Sequence, residues 1–313
     1  MKLISFQIDN REHIGALCDD QESIVDFTQT SGKAHFSSML ALIDGGAGAL
    51  DEARDLLLQA KQKTALRSVK LRSPLPEPRQ IRDFLAFERH VRQARAHRHL
   101  FGIHGGSTDP AKVEVPAIWY QQPTYYKANR FSVIGHEEDI VWPSYSNMMD
   151  YELEFGAVIG KTGKNISKSE AAEFIFGYTI FNDMSARDAQ MLEMQASLGP
   201  GKGKDFDTGN VIGPWIVTAD ELKDPYSLTM IVRVNGEERG RGNSSEMQFR
   251  FEDFISHISR DETIRAGEFL GSGTVGNGAG LEFGRFLEDG DVIELEVSSI
   301  GVLRNRLVKP KPR

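Results

Sequence analysis

The stretch Asp150-Tyr151-Glu152-Leu153-Glu154-Phe155-Gly156-Ala157-Val158-Ile159-Gly160 alternates carboxylates with apolar side chains, and the fold turns on how it is read. In a strand, residues i and i+2 share a face. Glu152 and Glu154 then point one way, while Tyr151, Leu153, Phe155, Ala157 and Ile159 point the other. Two like charges on one face repel unless water or a cation relieves them. The pattern alone favours a half-exposed strand with a solvated acidic face. A second reading makes the pair oxygen ligands for a hard divalent metal, held on a rigid element.

The sequence around it is rich in strands. Tyr178-Thr179-Ile180-Phe181 reads as a buried strand running into Asn182-Asp183. Asn235-Gly236 after Met230-Val234 signals a hairpin, Asp289-Gly290 opens a strand over Val292-Val297, and Gly301 precedes a last one over Val302-Val308. Ser167-Lys168-Ser169-Glu170 has the form of a capping box, predicting a helix that stops at Gly177, and Ser185 through Glu193 can start another. Phe84 to Phe101 reads as a helix rich in Arg and His. Upstream, residues 3–8 and 14–18 read as strands around a turn at Asn10-Arg11-Glu12, and 34–43 and 50–62 as helices. Pro74, Pro76 and Pro78 then mark a linker. The expectation is an α+β, mostly β chain: a small α/β domain over 1–72 and a larger β-rich domain over 73–313.

The 313 residues carry a formal net charge of −8, which argues against nucleic acid as a partner and suits small molecules. A single cysteine, Cys18, excludes an internal disulfide and fits a reducing compartment. The strand-like N-terminus lacks the apolar core of a signal peptide, and no stretch approaches the ~20 apolar residues of a membrane helix. The chain reads as cytoplasmic.

Several motifs fail on context. Gly271-Ser272-Gly273-Thr274-Val275-Gly276 matches the dinucleotide fingerprint, but Asn277-Gly278-Ala279-Gly280 follows, which no helix would use to start. It reads as a loop that lets backbone approach a ligand. Gly199 to Lys204 resembles a phosphate loop, yet Asp205 stands where Ser or Thr should bind magnesium, which leaves Lys204 as a candidate substrate contact. His90 and His97 are about 10.5 Å apart along a continuous helix, too far to share one zinc. No Gly-x-Ser-x-Gly elbow exists for a serine nucleophile.

Six motifs in order are more specific than any one of them. They are Asp83-Phe84 with His90, Tyr126 through Ser132, Asp150 to Glu154, Asn182-Asp183-Met184-Ser185-Ala186-Arg187-Asp188 with Gln190, Gly203-Lys204 with Phe206, and Gly273-Thr274 with Gly280-Leu281-Glu282. In these, residues 80–308 resemble the fumarylacetoacetate hydrolase family. The resemblance implies a mixed β-sandwich roll with a small N-terminal domain, a lid helix near 84–101 and a homodimer. It also implies that Glu152, Glu154 and Asp183, with Asp83 as a fourth candidate, hold Mg²⁺, Mn²⁺ or Ca²⁺, and hard carboxylate oxygens suit those ions.

The resemblance further implies a hydrolase that cleaves a C–C bond in acylpyruvate or fumarylacetoacetate-like diketo acids. His90 would activate water and Glu282 would orient it, Lys204 would steady the departing enolate, and Tyr126, Arg187, Gln190 and Thr274 would contact substrate. A 2-oxo acid decarboxylase, hydratase or isomerase on the same site is the rival expectation. Read without the resemblance, Arg187 and Gln190 belong to a solvated helix face. Two positions depart from the family. Gln93 stands where the small acylpyruvate hydrolases and oxaloacetate decarboxylases carry Glu, which favours Glu282 as the partner of His90. Leu85 stands where the hydrolase of tyrosine breakdown carries tyrosine.

Overall fold

In the computed structural model, which describes residues 1–310, the opening stretch lies at the centre of a 12-stranded sheet. The last three residues of the 73–313 segment fall outside the described residues. The strand Leu153–Ile159 pairs antiparallel with Ile175–Asp183 on one side and with Phe269–Gly271 on the other. Phe269–Gly271 runs parallel to Ile81–Phe84, which pairs with Tyr125–Ala128. In the other direction Ile175–Asp183 pairs with Asn210–Thr218, and that strand with Lys2–Ile8. A second sheet of five strands is built around Thr229–Val234, Val292–Val297 and Gly301–Val308. The expected mixed α+β fold dominated by sheet is what forms.

The predicted alternation holds, but neither face is solvated. Leu153, Phe155, Ala157 and Ile159 pack against residues of the second sheet such as Met230, Val232, Leu295 and Leu303. Val158, on the other face, joins Phe181, Ile212 and Phe269 beneath the N-terminal residues Leu3, Phe27 and Leu42. All seven residues of Leu153–Ile159 are buried. A carboxylate on this strand therefore has no bulk water to turn to.

The segment 1–72 is continuous with the large sheet, through Lys2 opposite Val217 and Leu3 opposite Ile216. The proline-punctuated stretch after it is packed: Leu75 is buried, and Ser5 Oγ donates to the Pro74 carbonyl at 3.0 Å. The hairpin turn falls at Asp9-Asn10, both with positive φ, one residue earlier than the expected turn, so that Arg11 and Glu12 belong to the strand Arg11–Leu17. Ser23–Asp26 is a further strand that the sequence did not signal. The second N-terminal helix spans Gly46–Gln59, four residues earlier at its start than expected.

Two helix predictions change. Ser167 Oγ does bond the Glu170 carboxylate, but only a 3₁₀ turn, Ala171–Phe174, follows before the strand begins at Ile175. Gly177 is no helix stop. It lies in the strand, where a Cβ would come within 2.4 Å of the Val217 carbonyl oxygen. Phe84 ends a strand and stacks on Phe254 at 3.8 Å, and the helix runs only over Glu88–Ala96, followed by a 3₁₀ turn at Arg98–Phe101. Aromatic burial in the sheet wins over helical periodicity at both places. The Asn235-Gly236 hairpin, the helix Arg187–Glu193 and the strand Val292–Val297 form as predicted.

Candidate active site: three carboxylates, two cations and a histidine over them

Strand register brings the acids together. Glu154 lies near the start of its strand and Asp183 ends the antiparallel neighbour, so both sit at the same end of these two central strands. Gly271 pairs with Asp83 on one side and Gly156 on the other, which carries Asp83 to that same end. One oxygen each of Asp83, Glu154 and Asp183 lies within 4.8 Å of the others, and all three residues are buried. Gly271 makes room for them: a Cβ there would lie 2.4 Å from Asp83 Oδ1 and 3.1 Å from Glu154 Oε2. Gly273 N donates to Glu154 Oε2 at 2.9 Å, and Thr274 Oγ1 to Glu154 Oε1 at 3.4 Å. Asp83 Oδ1 and Asp183 Oδ1 are buried without a partner. Burial first, then the charge of Asp183, pushes the Asp83 carboxyl well above the ordinary range; burial and the charges of Asp83 and Asp183 do the same to Glu154. Burial raises Asp183 as well, against the pull of Lys204.

Glu152 sits beside this trio and differs from it. Its Oε1 faces Arg187 Nη1 at 2.7 Å and its Oε2 accepts from Lys204 Nζ at 2.7 Å. Burial opposes its charge, but Arg187, Lys204 and His90 outweigh burial and hold it well below the usual carboxylate range. Lys204 also donates to Asp183 Oδ2 at 2.6 Å and to the Asp183 carbonyl at 3.0 Å. Burial penalises the ammonium, yet Asp183 and Glu152 overcome that and keep it charged. The glycines explain its placement: a Cβ on Gly203 would lie 2.3 Å from the Cβ of Gln190, so only glycine lets this turn close on the helix Arg187–Glu193. Tyr126 donates to Asp183 Oδ2 at 2.7 Å.

Arg187 and Gln190 are buried, which removes the solvated-face reading of their helix. Arg187 Nη1 donates to Gln190 Oε1 at 2.9 Å and Arg187 Nε to Asp150 Oδ2 at 2.8 Å. Asp150 opens the alternating stretch, and no local motif signals a task for it. It is fully buried, and besides Arg187 it accepts from Gly280 N and Leu281 N, each at 2.8 Å. Those two amides open the turn Gly280–Phe283, which carries Glu282. Glu282 Oε2 accepts from Ala279 N at 2.9 Å, and Glu282 Oε1 accepts from His90 Nδ1 at 3.0 Å. With Nδ1 so engaged, Nε2 is the free nitrogen of His90. The run of buried groups thus leads from His90 through Glu282 and Asp150 to Arg187, Glu152, Lys204 and Asp183.

His90, the carboxylates, Arg187 and Lys204 line one cavity of about 310 Å³. Leu85, at the position of the family's tyrosine, also lines it. Gln93 does not reach His90's partner. Its Nε2 donates to Asn277 Oδ1 at 2.9 Å and its Oε1 accepts from Asn277 N at 3.3 Å, a contact that no short motif would signal. His97, which follows the last residue of the helix Glu88–Ala96, bonds the Gln93 carbonyl through Nδ1 at 3.0 Å. No helix among the described residues is long and apolar enough to cross a membrane.

A family model described as the fumarylacetoacetate (FAA) hydrolase C-terminal region matches residues 79–308. Oxaloacetate tautomerase YisK of Bacillus subtilis (strain 168) is 31% identical over 321 residues, covering 98% of this chain and 100% of that protein. Among solved structures, fumarylacetoacetate hydrolase from Exiguobacterium antarcticum superposes with a TM-score of 0.77 at 26% identity, over 99% of this chain and 100% of the other. Maleylpyruvate hydrolase from Sphingobium sp. SYK-6, in complex with manganese(II) and pyruvate, shares the fold at a TM-score of 0.72 and 23% identity, over 99% of this chain and 100% of that one.

Proposed function

The chain belongs to the fumarylacetoacetate hydrolase family, and from that premise we propose that its cavity interconverts the keto and enol forms of a small 2-oxo acid, with oxaloacetate as the first substrate to try. The observation that carries the reading is the buried His90–Glu282 pair on the same cavity as two charged cations and three convergent carboxylates. A relative similar over its full length is an oxaloacetate tautomerase, which moves this reading ahead of hydrolysis.

The carboxylates fit a hard divalent cation: two buried oxygens have no partner, and every donor is an oxygen. Asp83, Glu154 and Asp183 would hold it, with Glu152 at the edge. A bound Mg²⁺ or Mn²⁺ would polarise the 2-oxo carbonyl as a Lewis acid. Each protein group then has a task. His90 Nε2 takes the proton from the carbon next to the carbonyl, and Glu282 steadies the imidazolium that results. Lys204 and Arg187 place positive charge where the enolate oxygen develops, in a site shielded from water. His90 then returns its proton to that oxygen, giving the enol, and the reverse sequence regenerates the ketone. Gln190 and Thr274 offer hydrogen bonds to the acid's remaining oxygens.

Hydrolysis of an acylpyruvate is the second reading, favoured by one observation: Glu282, and not a residue of the helix itself, backs His90. The same pair could take a proton from water instead of carbon. Incubation with metal and either oxaloacetate or acetylpyruvate separates the two. Loss of the enol's ultraviolet absorbance without acid or CO₂ release supports the tautomerase. Release of two acids from acetylpyruvate supports the hydrolase, and CO₂ from oxaloacetate would overturn both.

A further inference from the structure

Neighbouring residues of the opening stretch go to different places. Glu152 lines the catalytic cavity, whereas Tyr151 joins the apolar core shared with the second sheet. Its side chain is fully buried there, and its hydroxyl has no hydrogen-bond partner. A buried polar group left in that state needs an explanation.

A second unpartnered group approaches from the second sheet. In the hairpin of Thr229–Val234 and Glu237–Asn243, Val232 pairs with Gly240 and Arg233 with Glu238, which leaves Arg239 as the extra residue of a β-bulge. A bulge re-aims a side chain out of the strand's alternation. Arg239 Nε and Nη1 are buried, again without a partner. Burial and then Asp150 push the Tyr151 hydroxyl above its ordinary range, and Arg239 is the strongest pull against them, so hydroxyl and guanidinium are electrostatic neighbours.

The acids around them are committed elsewhere. Glu238 pairs with Arg241 at 2.8 Å and Glu237 with Arg285 at 3.5 Å. Asp150 serves Arg187 and the Gly280 and Leu281 amides, while Glu282 serves His90 and the Ala279 amide. Arg239 Nε, Arg239 Nη1 and Tyr151 Oη thus bring three donors and one positive charge, with no acceptor bonded to them among the described residues. A water would accept from two of the donors and leave the charge uncompensated. A small anion meets both needs. Met149, Leu153 and Val232 of the same core are fully buried, and such close packing favours a single atom over a carboxylate or phosphate.

We propose that Arg239 and Tyr151 bind a monoatomic anion of the chloride and bromide class, which fastens the bulged hairpin of the second sheet to the stretch that opens the large one. Neither residue lines the catalytic cavity, so the site is separate from it and independent of the keto–enol reading.

The test follows Tm of the full chain as sodium chloride replaces sodium gluconate at constant ionic strength. Chloride at about ten times its Kd should raise the wild-type Tm by roughly 2 °C. Tyr151→Phe should raise the chloride concentration at half-effect about 10-fold, as for loss of one hydrogen bond to a charged group. Arg239→Met should abolish the response, and in gluconate it should be at least as stable as the wild type, because it buries no unpaired cation. A wild-type crystal soaked in sodium bromide should show an anomalous peak between the Arg239 guanidinium and the Tyr151 hydroxyl, which decides the matter even where Arg239→Met fails to fold. A wild-type Tm indifferent to chloride overturns the proposal. So does a response that persists in Arg239→Met, or water or protein density at that point in the soaked crystal.

Discussion

The floor of the cavity and the helix above it are built on opposite terms. Asp83, Glu154 and Asp183 come from the ends of neighbouring strands whose register is fixed by both faces of the sheet. A slip of one residue would turn each acid into an apolar core. His90 sits on a nine-residue helix with no side-chain N-cap, tied to the body by the pairs His90–Glu282 and Gln93–Asn277. The floor therefore stores electrostatic repulsion in a rigid frame, whereas the helix keeps its geometry through a few side-chain bonds. A substitution in the floor should change the metal and stability together; one in the helix should change turnover and leave both alone.

The largest effect is expected from Glu154→Gln. The amide oxygen can still accept from Gly273 N, but one of three crowded charges is gone. Without metal, the variant should be more stable than the wild type, because burying unpaired like charges is costly. Mg²⁺ or Mn²⁺ at about 100 times its Kd should stabilise the wild type by about 2.7 kcal/mol through mass action, read as a rise in Tm. The variant should lose that rise and at least 100-fold of its turnover. A variant with the same metal-induced rise as the wild type would remove Glu154 from the ligand set.

Asp150→Asn should cost less, about 10- to 100-fold in kcat, in line with loss of a charged hydrogen bond. Asp150 joins the two halves of the site, since it bonds Arg187 on one side and the turn bearing Glu282 on the other. Its loss should therefore weaken the histidine without disturbing the floor, and the metal-induced rise in Tm should survive. A double-mutant cycle separates positioning from general damage. In a His90→Ala background, Asp150→Asn should add little further loss; an undiminished penalty there would mean that the residue only supports the fold.

The same contrast explains what was legible in the sequence. Strand alternation over 150–160 and the apolar run at 178–181 predicted the centre of the sheet, because two-residue periodicity survives when both faces are buried. The convergence of Asp83 with Glu154 and Asp183 depends on strand pairing across the chain, so it came from the ordered motifs of the family and not from local spacing. Glu152 shows the limit of face reasoning. It shares Glu154's parity, yet it lies just before the strand, in an isolated bridge to Ala279, and its carboxylate turns to Arg187 and Lys204. Around the helix the sequence was less readable. The pattern puts its start at Phe84, because helical spacing carries no information about aromatic stacking in a sheet. Asn277, with φ of 66°, looked like one more polar residue in a glycine-rich loop, although it is the acceptor for Gln93.

That pair gives the smallest effect and the sharpest test of the contrast. Gln93 and Asn277 exchange two hydrogen bonds across the gap between the helix and the loop that carries Thr274 and leads to Glu282. Asn277 Nδ2 in turn donates to the Arg241 carbonyl at 3.1 Å, which fastens the loop to the hairpin of the second sheet. Gln93→Ala removes both bonds and leaves His90 with Glu282. Each bond contributes about 1 kcal/mol, so amide exchange over Glu88–Ala96 should quicken about 10-fold or more. Turnover should change less than about 10-fold, and the metal-induced rise in Tm should stay the same. Unchanged exchange would mean that the helix is held by its apolar face alone. A lost metal response would mean that floor and helix are not separable, and the comparison itself would fail.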